Sequence, residues 1–281
     1  MDAVINYTTG GLGNRLRPLS SAYAISKETG RELAQYWDNS TTNGVMANFD
    51  DLFENDIRII SAEELEQLDS FVIYSDLGII DRLSKKYGLH SLKKMANSGN
   101  GRVCTRESYQ NNNVESNVIL YCNNFIPNTN RSLCHEFIQN LVPVKEIREK
   151  IEMESESLGI NKEIIGIHAR GTDFNVDVSY YVNQIKQLLS SNSELKFFLS
   201  TDDSDYEKII CNEFKGKIIT REKRLHLEKV NSTSGWDYNF LITKEKSQDS
   251  IVDLFLLSNT NIKVYHPGST FCEIAKIISE K

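Results

Sequence analysis

The sequence predicts an α/β protein built on parallel sheets covered by helices, and three observations carry that prediction. Strand-like and helix-like stretches alternate through the second half of the chain. The opening residues read as strand, Gly-rich turn, helix and strand. The 281 residues, 40% hydrophobic and 25% charged, suffice for one large domain or two smaller ones.

Residues 3–8 read as the first strand, followed by the turn Gly10-Gly11-Leu12-Gly13. Leu16, Leu19, Tyr23 and Ser26 then recur at helical spacing up to Gly30, a helix stop. Residues 32–37 supply a second strand and complete a β-α-β unit. The pattern weakens beyond them, and residues 97–117, polar and rich in Asn, Gly and Ser, read as a surface loop able to line a cleft. The charged stretch 144–157 reads as a helix. Strands at 164–168, 195–201, 217–220 and 262–265 then alternate with helices at 180–189, 204–214, 250–257 and 271–278. The expected division is an N-terminal α/β domain over residues 1–150 and a C-terminal one over 151–281, with no internal repeat.

The formal charge of -7, without a Lys/Arg cluster, gives no basic field for nucleic acid or anionic lipid. Cys104, Cys122, Cys134, Cys211 and Cys272 are odd in number, widely spaced and never in C-x-x-C, so they read as reduced thiols, not as a disulfide framework or a zinc site. No apolar run approaches the roughly 18 residues of a membrane span, and the N-terminus lacks the pattern of a signal peptide. The expectation is a cytoplasmic protein without a transmembrane segment, able to act at the inner face of a membrane.

Four motifs carry chemistry. In GGLGNRLRPLS, the turn with Gly11, Gly13, Asn14 and Arg15 brings backbone N–H groups and a helix N-terminus to where an anion could sit, or is a purely structural turn. In IGIHARGTDF, an apolar strand ends in His168, Arg170 and Asp173, and the carboxyl ends of strands face the ligand crevice of an open α/β sheet. The Arg170 guanidinium suits a phosphate through charge-assisted bonds of about 1.5–3 kcal/mol each, and could stand in for a metal on a departing diphosphate. A surface ion pair with Asp173 is the plain alternative.

In FFLSTDD, Asp202 and Asp203 end another strand and could accept hydrogen bonds from ribose or sugar hydroxyls, or one of them caps the next helix. Adjacent acids without further ligands do not make a metal site. In SIVDLFLLSNTNIKVYHPGSTF, Asp253 is a natural acceptor for two neighbouring donors on a guanine edge, while Gly268, Ser269 and Thr270 form a turn suited to a phosphate. An Asp253–lysine pair and an N-cap at Ser269 are the structural alternatives.

In this order the motifs resemble the fucosyltransferases related to the rhizobial nodulation enzyme and the core α1,6-fucosyltransferases, over nearly the whole chain except residues 69–142. The resemblance implies a glycosyltransferase-B fold, two Rossmann-like domains facing a cleft, with the acceptor side N-terminal and the nucleotide-sugar donor domain C-terminal. It implies inverting, metal-independent transfer of fucose from GDP-fucose to a glycan hydroxyl, in surface polysaccharide or glycoconjugate synthesis, with no cofactor beyond the donor substrate. Arg170 would bind the β-phosphate, His168 and Asp253 the guanine, and Asp173 with Asp202 or Asp203 would fix the donor. Asn14 would orient donor or acceptor. Two departures stand out. Gly171 occupies the place of a second arginine, and the catalytic glutamate expected a few residues after the motif is missing, which leaves Asp177 as general base or as a cap for the following helix.

Two rival readings remain. GGLGNRLRPLS also resembles the opening of sugar-nucleotide pyrophosphorylases, but none of Pro18, Pro127, Pro143 and Pro267 follows the Glu-Lys of that family. A catalytically silent glycan- or nucleotide-binding protein would keep the cleft and lose the base.

Overall fold

A computed structural model of the chain describes residues 2–37, 45–76, 101–110, 117–171, 176–223 and 243–281. The chain divides into two compact units, the first made of Met1–Phe49 and Glu54–Val142, the second of Asp50–Phe53 and Pro143–Lys281. Helix Lys145–Leu158 therefore counts wholly with the second unit.

The first unit holds strands β1 (Ala3–Thr8), β2 (Glu32–Trp37), β3 (Arg58–Ile59), β4 (Phe71–Ser75), β5 (Gly101–Thr105) and β6 (Asn117–Tyr121), with helices α1 (Leu12–Thr29), α2 (Ala62–Glu66) and α3 (Arg131–Gln139). They form one sheet in the order β3-β2-β1-β6-β4-β5, every pairing parallel. Strand β1 is buried on both faces: Ile5 and Tyr7 pack with Ile73, Ile119 and Tyr121, and Val4 packs with Ala22, Ile25, Val118 and Leu120. Two covered faces explain why these strands read as apolar runs instead of alternating. The polar segment expected to be a loop contains the edge strand β5. Among the described residues it pairs only with β4, and it leaves Val103 45% exposed, so it carries no buried face to mark it.

In the second unit the order is α4 (Lys145–Leu158), β7 (Ile165–Ala169), α5 (Val178–Ser191), β8 (Phe197–Thr201), α6 (Ser204–Glu213), β9 (Ile218–Ile219), α7 (Lys244–Ser258), β10 (Asn261–Tyr265) and α8 (Thr270–Ser279). Its sheet runs β10-β7-β8-β9, again all parallel. Ile165, Ile167, Phe197, Leu199 and Val264 of the strands pack with Tyr181, Ile185 and Ile210 of the helices, each such side chain contributing about 1.5–3 kcal/mol on burial.

Helix α7 begins six residues earlier than the apolar pattern suggests, because Thr243 caps it by accepting the Lys246 N–H, and its first turns are polar. It contacts α4, α8 and the strands β7, β8 and β10, and is buried around most of its circumference. Asp249 and Asp253 are buried with it, so both carboxylates require partners. Among the described residues no helix is long and apolar enough to cross a membrane.

Candidate functional site

Both sheets have a point where the strand order turns back, between β1 and β6 in the first and between β7 and β10 in the second. Such points open a crevice outside the carboxyl ends of the strands. The candidate residues occupy both.

In the first unit, Gly10 takes a φ of 83° at the turn after β1, a left-handed conformation that favours glycine. Gly11 is the N-cap of α1 and offers no side-chain cap. Gly13 is buried and Asn14 half-buried, with Asn14 Oδ1 accepting from Arg17 at 3.3 Å while the same Arg17 nitrogen reaches the Asn123 carbonyl at 2.5 Å. Arg15 points inward: it is fully buried, donates to the Gly10 carbonyl at 2.7 Å and the Thr8 carbonyl at 3.4 Å, and its guanidinium lies over the Trp37 ring. Its role is to brace the turn from beneath. Pro18 sits inside α1 and supplies no N–H for the Asn14 carbonyl.

In the second unit, His168, at the end of β7, is buried and its Nδ1 lies 2.9 Å from Ser269 Oγ, across the turning point from β10. Ser269 also caps α8 by accepting the Cys272 N–H at 3.2 Å. The same serine oxygen thus joins the imidazole to the start of α8. The imidazole stacks on Phe271 at 4.9 Å. Burial, then the neighbouring Arg170 charge, lower its pKa from 6.5 to about 4.

The folded state thus binds this proton more weakly than the unfolded chain does. The stability from the neutral ring is complete above pH 6.5 and is lost as pH falls toward 4. A His168→Gln variant is expected to show a shallower loss of melting temperature than the parent across that window, read by thermal unfolding at stepped pH.

Arg170 follows immediately, with its backbone N–H donating to the Tyr181 hydroxyl at 3.3 Å. The Gly171 N–H donates to Asp202 Oδ1 at 3.0 Å. A Cβ on Gly171 would stand 2.5 Å from Asp203 Oδ2 and 2.6 Å from its Cβ, so the close approach of the β7 and β8 tips excludes any side chain there. The missing second arginine has this local cause.

Asp203 is buried and caps α6, accepting from Asp205 N at 2.8 Å and Tyr206 N at 3.2 Å. Asp177 caps α5 in the same way, accepting from Ser179 N at 2.8 Å, and is exposed. Its hydrogen bonds to Ser179 hold its carboxyl below the usual range, which makes it a weak proton acceptor. Asp173 lies outside the described residues. Gly268 donates its N–H to His266 Nδ1 at 3.2 Å, and Thr270 opens α8.

Asp253 anchors a buried charge network that the sequence does not announce. Its Oδ1 accepts from Arg221 at 3.1 Å, while its Oδ2 accepts from Ser200 at 2.9 Å and from Lys223. Arg221, its side chain 1% exposed, also donates to Glu154 at 2.5 Å and to Asp249 at 3.1 Å, and Lys150 reaches Asp249 at 2.8 Å. Three carboxylates balance three cations. The lysine pairing foreseen for Asp253 is present, with an arginine beside it. Arg221 and Lys223 follow a two-residue strand in no recognisable motif, and only the fold brings them to α7.

All five cysteines are free thiols, and burial pushes Cys272 up to about 12. Among the described residues no group of three or more His, Cys, Asp or Glu side chains could hold a metal ion.

No protein-family model matches the chain, and no curated protein matches it by sequence. Solved structures do. The fucosyltransferase NodZ from Bradyrhizobium superposes with a TM-score of 0.65 at 17% identity, covering 98% of this chain and 92% of that one. NodZ α-1,6-fucosyltransferase soaked with GDP-fucose gives 0.65 at 18%, covering 99% and 93%. This chain has the fold of these glycosyltransferase-B fucosyltransferases. A mutant of Arabidopsis thaliana FUT1 in complex with GDP shares it at 0.57 and 13% identity, covering 99% of this chain and 68% of that one. So does POFUT1 in complex with GDP-fucose, at 0.55 and 11%, covering 99% and 94%. Within this fucosyltransferase fold, His168, Arg170, Asp202, Asp253 and Ser269 gather around the ends of β7, β8 and β10.

Proposed function

We propose that the chain is a glycosyltransferase that moves fucose from GDP-fucose to a glycan hydroxyl, with inversion at the anomeric carbon and without a divalent metal. The observation that carries the reading is the gathering of His168, Arg170, Asp202, Asp253 and Ser269 at one turning point of a sheet. The chain around them shares its fold, nearly end to end, with an enzyme soaked with GDP-fucose.

In this reading Arg170 takes the β-phosphate and stabilises the charge that grows as the diphosphate departs. Ser269, Thr270 and the backbone at the start of α8 add donors to the phosphates. His168 and Asp253 hold the guanine, and Asp202 holds the donor from the β8 tip while also fixing Gly171. The first unit serves the acceptor, with Asn14 as its orienting residue. The acceptor hydroxyl loses its proton as it attacks the anomeric carbon; Asp177 is the acid that follows the donor motif, weakened as a base by its cap. The setting that fits is synthesis of a surface polysaccharide or glycoconjugate in the cytoplasm, at the inner face of the membrane.

The pyrophosphorylase reading rests on the GGLGNRLRPLS turn alone, and there the Arg15 guanidinium donates to the Gly10 and Thr8 carbonyls. The deciding experiment incubates the protein with GDP-fucose, GDP-mannose and UDP-sugars and a panel of glycan acceptors, with and without EDTA. Transfer from GDP-fucose that EDTA leaves unchanged, with inverted anomeric configuration by NMR, is the expected result. A magnesium requirement, or pyrophosphate released from a nucleoside triphosphate, would overturn the proposal.

A further inference from the structure

Asp253 offers about four lone-pair directions on its two oxygens, and three are already taken: one on Oδ1 by Arg221 and two on Oδ2 by Ser200 and Lys223. A guanine presents two neighbouring donors, N1–H and the 2-amino group, and reading both requires two open directions on one carboxylate. One of the present partners must therefore yield.

The three partners are not equally fixed. Arg221 is bound to Glu154 through two nitrogens and to Asp249 through one, so turning it away would strip a buried cation from two further carboxylates. Ser200 is a buried residue of β8. Among the described residues Lys223 has Asp253 as its one hydrogen-bond and ion-pair partner, at the end of a flexible four-carbon stem. A second carboxylate lies within the field of its charge. Glu207 on α6 has a buried Oε2 without a hydrogen-bond partner and feels the Lys223 charge. Burial raises the pKa of Glu207 and Lys223 opposes that rise, as expected of an acid that lacks a close cation and has one nearby.

We propose that Lys223 is a specificity-determining residue of the donor site: in the empty site it holds the acceptor direction on Asp253 Oδ2 that the guanine 2-amino group needs, and it yields that place by moving to Glu207. The inference rests on the reading of Asp253 as the guanine contact. Lys223 then acts as a competitor that the base must displace. It keeps Asp253 compensated while no nucleotide is present, and it weakens the preference for a base with two donors over a base with one.

The test compares GDP with inosine diphosphate, which lacks only the 2-amino group, by calorimetric titration of the full-length protein and of Lys223→Met. A ratio of affinities cancels the effect of removing one cation on diphosphate binding. The ratio of GDP to inosine diphosphate affinity is expected to rise in the variant by about tenfold, the size of one charge-assisted hydrogen bond. Lys223→Gln, which keeps a polar stem, is expected to raise it as well and serves if the methionine variant folds poorly. Glu207→Gln, which removes the receiving carboxylate, is expected to weaken GDP binding severalfold.

A ratio that stays the same or falls in both Lys223 variants, while Asp253→Asn abolishes the parent's discrimination, overturns the role of Lys223 and leaves Asp253 as the guanine contact. If Asp253→Asn leaves the ratio unchanged, or the parent binds UDP as well as GDP, the guanine reading itself fails and takes this inference with it.

Discussion

Replacing Arg170 by alanine is expected to reduce kcat/KM for GDP-fucose transfer by about 10²–10³, the loss found when one preorganised charge-stabilising group is removed from a transition state. The reduction should fall chiefly on kcat, because the diphosphate gains negative charge only as the glycosidic bond breaks. The fold should survive, since the bond from the Arg170 backbone to Tyr181 does not involve the side chain, and β7 is held by parallel pairing to β8 and β10. Matching melting temperatures with a collapsed turnover would establish the role. Unchanged turnover would place the phosphate contact elsewhere.

Arg221→Met is expected to destabilise the second unit by about 3–5 kcal/mol, the usual cost of removing one partner from a buried ionic cluster. The change leaves Glu154, Asp249 and Asp253 with two cations for three carboxylates, and Lys150 among them is 36% exposed. Urea unfolding followed by circular dichroism reads the loss. Lys150→Met serves as the comparison and should cost far less, because water can still reach its place. A loss below about 1 kcal/mol for Arg221→Met, the range of exposed pairs, would show that the cluster relaxes around the missing charge.

How much of this was legible in the sequence depended on whether a residue's partners lie close along the chain. His168, Arg170 and Asp202 stand at the tips of apolar strands, and the Ser269 turn opens a helix, so alternation alone placed all of them at one edge of a sheet. Strands β4 and β6 went unread although FVIY and VILY are continuous apolar runs, the pattern of parallel strands covered on both faces. Helix α2 carried a readable signal as well, in the Ser61–Glu64 capping box.

Asp203 and Asp177 show the opposite limit. By position each reads equally as a binding residue or as a helix cap, and both serve as caps, a distinction that lies in which backbone N–H each carboxylate meets. Arg221 had no local sign. Its partners stand on α4 and α7, far away in sequence, and become neighbours only once the sheet has brought the helices together. Gly171 was legible as a departure from the related motif, while its cause, the close approach of Asp203, is a fact of packing.

The four residues Asp50–Phe53 belong with the second unit although they are made early. Asp51 accepts from Lys244, the Leu52 carbonyl accepts from Val144 N at 3.0 Å, and Phe53 pairs with Pro143. During synthesis this short piece waits through the whole of Glu54–Val142 before Pro143, Val144 and Lys244 leave the ribosome. No single cut in the chain separates the two units, and a fragment beginning at Pro143 would lack the carboxylate that meets Lys244 and the carbonyl that meets Val144. Dissection of the protein into halves should therefore graft those four residues onto the second fragment.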